Sequence, residues 1–279
     1  VEVELTKIPQ MKLEFSNDAP PMGPTGNLKE FSLQENPKIP DKVEYLVSDT
    51  HVKAATAMEE LYHKDIPIYH LSKLLSAGTL GVKENRKLVP TRWSLTASQD
   101  TIGKQLIDRV KDFQQINEYR LYESHFLDNH FYILLMPREW AFDIMEAYRP
   151  GSFWAKEMKE VHMSCDHEFY EGRKDYAENV AGGYYAARFS VLERLNKIRK
   201  QAAVVIFREI GPGYQQSMGV WQVLENTRNA IEQEPQLFET LERALNTLES
   251  KLTVSMNQWK KNSKLLDRVF HQKRLLDFF

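Results

Sequence analysis

The chain has 279 residues, 42% of them hydrophobic and 27% charged, an ordinary composition for a globular protein with material for a large core. The net charge of −2 excludes a basic nucleic-acid coat, so any DNA contact must come from local patches. No apolar run reaches the roughly 18 residues needed to span a membrane, and the single cysteine, Cys165, excludes an internal disulfide and a Cys-rich zinc module. One cysteine and no visible secretory signal suit a reducing, cytoplasmic compartment. Val1 in place of Met reads as the start of an N-terminally truncated chain.

Residues 1–45 hold Pro9, Pro20, Pro21, Pro24, Pro37 and Pro40, with Gly23 and Gly26 between. Proline fixes φ and disfavours helix before it, so the segment reads as an extended arm, with a local strand near Lys29–Leu33. Asp49 or Thr50 caps a helix running to about His63, with Ala54, Ala57, Met58 and Leu61 inward. A second helix runs from Pro67 to Ala77 and stops at Gly78. The pair resembles a helix-turn-helix, but Lys73 is the only cation on the second helix, which favours plain hairpin packing. In the following stretch Lys83, Arg86, Lys87 and Arg92 bracket Pro90 and Trp93. Such a loop either contacts phosphate and stacks on a base, or is a surface loop with Trp93 tucked into the core.

Thr101–Lys111 reads as a helix. Asn117–Phe126 and His130–Met136 form a hairpin, and Trp140–Tyr148 reads as a helix with Phe142, Ile144 and Met145 available to a core. Gly182–Lys200 has a helical stripe of Tyr185, Phe189, Leu192, Leu195 and Ile198, and Ala202–Phe207 is a buried strand. Trp221–Gln233, Leu237–Leu248 and Met256–Asp267 read as three more helices. The expected fold is α+β: a predominantly helical single large domain with a small mixed or antiparallel sheet. Its divisions are the extended arm at 1–45, a globular domain at 46–268 that could subdivide near 150, and a tail at 269–279.

Asp166-His-Glu168, Gly172-Arg-Lys174 and Tyr176 place carboxylates, an imidazole and two cations close together. On one strand Asp166 and Glu168 would share a face, and Arg173 and Lys174 could bind phosphate. A solvated charged loop explains the same residues. With Glu193 and Glu209, the carboxylates are the candidate ligands of a divalent metal in a nuclease-like enzyme. The order Phe207-Arg-Glu-Ile210, however, lacks the usual Glu-x-Lys run. Gly182-Gly183 before a helix could bring N–H groups to an anion, and Arg188 lies on that helix. His162, Cys165 and His167 have no second pair to complete a zinc site.

The chain closes on Gln272-Lys-Arg-Leu-Leu-Asp-Phe-Phe279. On one helical turn Leu275, Phe278 and Phe279 point the same way. The pattern Q-x-x-L-x-x-F-F resembles the PIP box of proteins that bind the sliding clamp PCNA. That resemblance implies that Gln272 enters a small polar pocket and Leu275, Phe278 and Phe279 an apolar one. Arg268, Lys273 and Arg274 would steer the encounter. A terminal helix docked on its own domain is the competing explanation.

Five further segments occur in order: Leu74-Leu-Ser-Ala-Gly78, Arg86-Lys-Leu-Val-Pro-Thr-Arg-Trp-Ser94, Gly172-Arg-Lys174, Gly182-Gly-Tyr-Tyr-Ala-Ala-Arg188 and Gly219-Val-Trp-Gln222. Together with the tail they resemble the archaeal Nre family of DNA repair proteins, from about Pro21 onward. The resemblance implies a DNA-associated role in a prokaryotic cell, working with PCNA, and no settled reaction. Family members usually carry a further N-terminal, Cys-containing segment that looks metal-binding, which this chain lacks. The expectation is therefore a clamp-recruited repair factor; the alternative is a clamp-tethered, metal-dependent enzyme built on residues 166–174. A pure interaction module without DNA contact is the third reading. Candidates for DNA or phosphate contact are Arg86, Lys87, Arg92, Trp93, Arg173, Lys174 and Arg188.

Overall fold

The computed structural model describes residues 2–15, 22–32, 34–36 and 38–271. The chain forms two compact units. One runs to Ile102 and takes in Ser217–Trp221; the other comprises Gly103–Gln216 and the chain from Gln222 onward.

In the first unit, strand β1 (Glu2–Leu5) pairs antiparallel with β2 (Leu28–Ser32), and isolated bridges join Gln10 to Thr25 and Glu14 to Met22. The expected extended Pro-rich arm is thus corrected to a paired β-structure. Neither strand contains a proline, so both keep the N–H donors that a ladder needs. Helices α1 (Asp41–Ser48), α2 (Ala54–Tyr62) and α3 (Ile68–Ser76) follow, burying Val43 and Leu46, then Ala57, Met58 and Leu61, then Ile68 and Leu71. Gly78, at φ +67°, stops α3: its N–H reaches the Leu75 carbonyl and the Thr79 N–H that of Leu74. A Cβ there would sit 2.7 Å from the Lys87 backbone. Helix α4 (Thr91–Lys111) begins ten residues before the expected Thr101, so Arg92 and Trp93 at the end of the basic stretch are helical.

The second unit is organised by a six-stranded sheet. Its elements are β3 (Tyr119–Phe126), β4 (Asn129–Met136), β5 (Ala141–Tyr148), β6 (His162–Glu168), α5 (Gly182–Ile198), β7 (Ala203–Ile210), α6 (Gly219–Glu232, from Gln222), β8 (Gln236–Phe238), α7 (Leu241–Glu249), α8 (Met256–Asn262) and α9 (Lys264–His271). The order across the sheet is β6-β5-β7-β4-β3-β8, and β5 and β7 run parallel while the other pairs are antiparallel. A predominantly helical domain with a small sheet is therefore not what forms. The largest correction is Trp140–Tyr148, expected as a helix and found as the inner strand β5. Seven of its eight residues are buried. A strand covered on both faces buries apolar residues on each side, here Phe142 and Ile144 on one and Ala141, Met145 and Ala147 on the other, and loses the period of two that would mark it.

Alternation along the strands sorts side chains to two faces. Leu134, Met145, Val205 and Phe207 face Leu245, Leu248, Trp259 and Leu266 of α7, α8 and α9 in one core. Even-numbered residues of β5, β6 and β7 take the other face, where Phe142 meets Tyr184 of α5. The single helix expected over Met256–Asp267 is broken at Ser263. Its hydroxyl accepts the Leu266 N–H (3.0 Å) and donates to Asp143 (2.7 Å), which also accepts the Leu265 N–H (3.0 Å).

Asp143 is almost fully buried, and burial pushes its carboxyl up to about 6 despite those hydrogen bonds. The folded state then binds this proton more tightly than the unfolded chain, whose ordinary value is 3.8. Its contribution is full below about pH 4 and is lost as pH rises through 6. Asp143→Asn retains an oxygen for both donors. It is expected to flatten the fall in stability between pH 4 and 6 and to raise stability at pH 7, by at most about 3 kcal/mol. Urea unfolding of both proteins across that range measures the difference.

Candidate functional site

The face of the sheet beneath α5 carries most of the buried charge. Parallel register sets Glu146 of β5 directly beside Arg208 of β7, and the two form an ion pair that is 4% exposed on each side. The Arg208 guanidinium also donates to Asn129 Oδ1 (3.0 Å) and to Gln222 Oε1 (3.1 Å), and lies over the Phe131 ring. Every branch of the fork is thus used. Burial works against its charge, but the Glu146 carboxylate outweighs that and raises its affinity for a proton. The Tyr148 hydroxyl donates to the second Glu146 oxygen, and burial beside that carboxylate pushes the phenol far above its ordinary range. Gly183 at the start of α5 comes so close that a Cβ would lie 3.3 Å from Glu146 Oε1.

A second ion pair joins Glu168 of β6 to Arg188 of α5 at 2.8 Å, both almost fully buried. Trp140 Nε1 donates to the other Glu168 oxygen at 3.1 Å, and the Arg188 guanidinium packs on the rings of Tyr184 and Tyr185. Asp166, two residues back on the same face, binds Arg173 at 2.9 Å and accepts the Val180 N–H at 2.8 Å. Arg173 also donates to the carbonyls of His167, Asp175 and Tyr176, and so closes the loop between β6 and α5. That loop delivers Ala181, at φ +52°, to the Gly182-Gly183 start of the helix.

The four candidate carboxylates do not share a ligand. Asp166 and Glu168 lie on one face of β6 but answer different arginines. Glu193 is held by two nitrogens of Arg228, at 2.9 and 3.1 Å. Glu209 points to the opposite face and accepts the N–H groups of Thr253 and Val254, ordering the chain before α8. Among the described residues no three His, Cys, Asp or Glu side chains are grouped to hold a metal ion. His162 lies across the strand from Cys165 and His167. Burial, with Asp143 and Asp166 nearby, pushes the Cys165 thiol up to about 12, so it stays protonated.

The candidate DNA contacts divide in the same way. Arg86 spends its guanidinium on the carbonyls of Gly81, Val47 and Asp49 within the first unit. Arg173 and Arg188 are committed as described. Lys87, Arg92 and Lys174 are exposed, and Trp93 is 62% exposed at the start of α4 rather than tucked into a core. Arg268 of α9 stacks over Phe169 at 4.5 Å. Gln272, Leu275, Phe278 and Phe279 lie outside the described residues. Glu146, Tyr148 and Asn129 are not among the candidate site residues of the sequence, and Gln222 enters there only within the segment Gly219-Val-Trp-Gln222. Their one visible signal is Arg208-Glu209, a pair of charges at the end of an otherwise apolar buried strand.

Residues 1–155 match the N-terminal part of archaeal Nre and residues 168–278 its C-terminal part. The chain belongs to the archaeal Nre family. It is 37% identical over 278 residues to DNA repair protein NreB of Archaeoglobus fulgidus, an alignment covering 100% of this chain and 70% of that protein. It is 40% identical over 245 residues to DNA repair protein NreA of the same organism, covering 88% of this chain and 61% of the relative. NreA of Haloferax volcanii is 36% identical over 266 residues, covering 94% and 63%. The chain therefore spans less than two thirds of either NreA relative. No solved structure matches it.

Removing one partner of a fully buried ion pair strands the other. Glu146→Ala is expected to cost about 3–5 kcal/mol, and Glu146→Gln, which keeps an acceptor for Arg208, clearly less. The double variant Glu146→Met with Arg208→Met should be less destabilised than Glu146→Ala alone, as read from urea midpoints.

Proposed function

We propose that this chain is a DNA repair factor brought to DNA through the sliding clamp PCNA by its C-terminal tail. The observation that carries the repair role is the similarity, along nearly the whole chain, to Nre relatives named DNA repair proteins. The clamp element rests on the sequence pattern of Gln272, Leu275, Phe278 and Phe279, which begins at the residue after α9. Leu265 and Leu266 bury that helix, and Asp143 holds its first turn. A peptide bound to a ring around DNA would raise the local concentration of the attached domain to about millimolar. Weak DNA affinity would then suffice, in keeping with a net charge of −2.

Within this reading, Lys87, Arg92, Trp93 and Lys174 are the sequence-derived DNA contacts left exposed to solvent. Arg86, Arg173 and Arg188 act instead as internal staples. The enzyme alternative finds no favouring geometry, because each of its carboxylates already has its own partner.

Calorimetry of the full chain with its cognate clamp, with and without residues 272–279, tests the proposal. Binding should vanish on truncation. Replacing Phe278 and Phe279 together by Ala should cost more than about 2 kcal/mol of binding and leave thermal unfolding unchanged. A drop in melting temperature with clamp binding intact would sink the assigned role of the tail.

A further inference from the structure

The parallel strands β5 and β7 end side by side, with Tyr148 opposite Ile210, and the loops that leave them converge. Ligands commonly sit beyond the carboxyl ends of parallel strands, where such loops meet. Here the loops are tied together. The Arg149 N–H donates to the Ile210 carbonyl (2.9 Å), the Phe153 N–H to the Tyr214 carbonyl (3.0 Å), and Gln215 Nε2 to the Gly151 carbonyl (2.9 Å). The second loop is also clamped from below. Asp128 accepts the Gly211 N–H on its backbone carbonyl and the Gly213 N–H on its carboxylate, both at 2.8 Å. A Cβ at Gly211 would lie 2.1 Å from that carboxylate, so the approach requires glycine.

This frame presents an aromatic cluster. Trp154 stacks on Tyr214 (5.5 Å, 29°), with Tyr148 and Phe153 set nearly perpendicular to it at 5.8 and 5.2 Å. Three rings pack on the indole, yet it stays 44% exposed, whereas Trp140 and Trp259 are fully buried. The surrounding rings hold the indole in place without removing it from water. Leaving so much aromatic surface wet forgoes burial energy that Trp140 and Trp259 collect. Lys156 sits over Phe153 at 5.2 Å, and Lys159 and Arg149 lie on the same loop. Glu157 and Glu160 interrupt those cations, so the patch is not a duplex-sized basic face.

We propose that Trp154, fixed by Tyr214, Phe153 and Tyr148, is a stacking platform for an unpaired base of single-stranded DNA, with Lys156 and Lys159 meeting the adjacent phosphates. A rigid aromatic face with a few cations is the chemistry that binds unstacked bases with little sequence preference. The inference deepens the repair reading and rests on it for the choice of DNA, but its geometry is independent of the C-terminal tail.

Fluorescence anisotropy of a labelled oligothymidylate with the full chain tests it. The intact chain should bind the single strand more tightly than a duplex of equal length. Trp154→Ala should weaken single-strand binding about tenfold, the loss expected of one base–aromatic stack, and Trp154→Phe should restore most of it. Lys156→Ala should reduce the salt dependence without abolishing binding. Melting temperatures of the variants establish that they fold. An oligoribothymidylate in parallel distinguishes DNA from RNA, and tighter binding of RNA would overturn the choice of DNA. Binding by a folded Trp154→Ala equal to that of the intact chain would overturn the platform, as would failure of the intact chain to bind the single strand. If clamp binding fails while Trp154-dependent DNA binding holds, the tail reading falls and the platform stands.

Discussion

Burying charge on the face of the sheet beneath α5 is the constraint around which the second unit is arranged. Arg208 cannot lie inside an apolar strand unless a carboxylate and neutral acceptors surround it. Glu146 supplies the charge from the adjacent parallel strand, and Asn129 and Gln222 supply oxygens from β4 and α6. The parallel pairing of β5 with β7, the seating of α6 and the glycine at the start of α5 all follow from completing that coordination. The Glu168–Arg188 pair repeats the solution one strand over, with tyrosine faces in place of amides. Such pairs add little net stability over well-packed apolar residues. Their energetic weight lies in the penalty for any arrangement that leaves one partner alone.

The two faces of the sheet divide the labour. The face under α5 holds most of the buried charge, and the loop from β6 closes over it through Arg173. The opposite face is a largely apolar core with α7, α8 and α9, where Asp143 holds the start of α9 and Glu209 the chain before α8. The aromatic cluster stands at the end of the two parallel strands β5 and β7, and Tyr148 belongs to both settings. Its ring meets Trp154 while its hydroxyl donates to Glu146. Through Tyr148 the surface cluster is joined to the same buried ion pair.

How much could be read in advance depended on whether a feature was local. The α3 helix, the Gly78 stop, the β3–β4 hairpin, α5 and β7 each carry their own periodicity or turn chemistry, and each forms close to its expected place; α2 keeps its inward Ala57, Met58 and Leu61 but starts at Ala54, because Asp49, expected as its cap, instead ends α1. The N-terminal strands were obscured because the prolines around them suggested an arm, although β1 and β2 themselves contain none. Strand β5 resembles a helix in sequence because burial on both faces erases the period that separates the two. The arginines were read by type. Whether Arg86, Arg173 or Arg188 faces solvent or ties down carbonyls and carboxylates is not a property of type.

By itself the sequence determined membership of the archaeal Nre family, the amphipathic helices, the hairpin and the contiguous tail pattern. In each of these the meaning resides in spacing along the chain. The tertiary structure alone decided that a mixed six-stranded sheet is the spine. It also decided which carboxylate answers which arginine, and that Tyr148, Trp154 and Tyr214 meet at one surface. Those outcomes depend on strand register and on partners dozens of residues apart. Register is settled only when every buried donor, acceptor and charge in the sheet has found its partner at once.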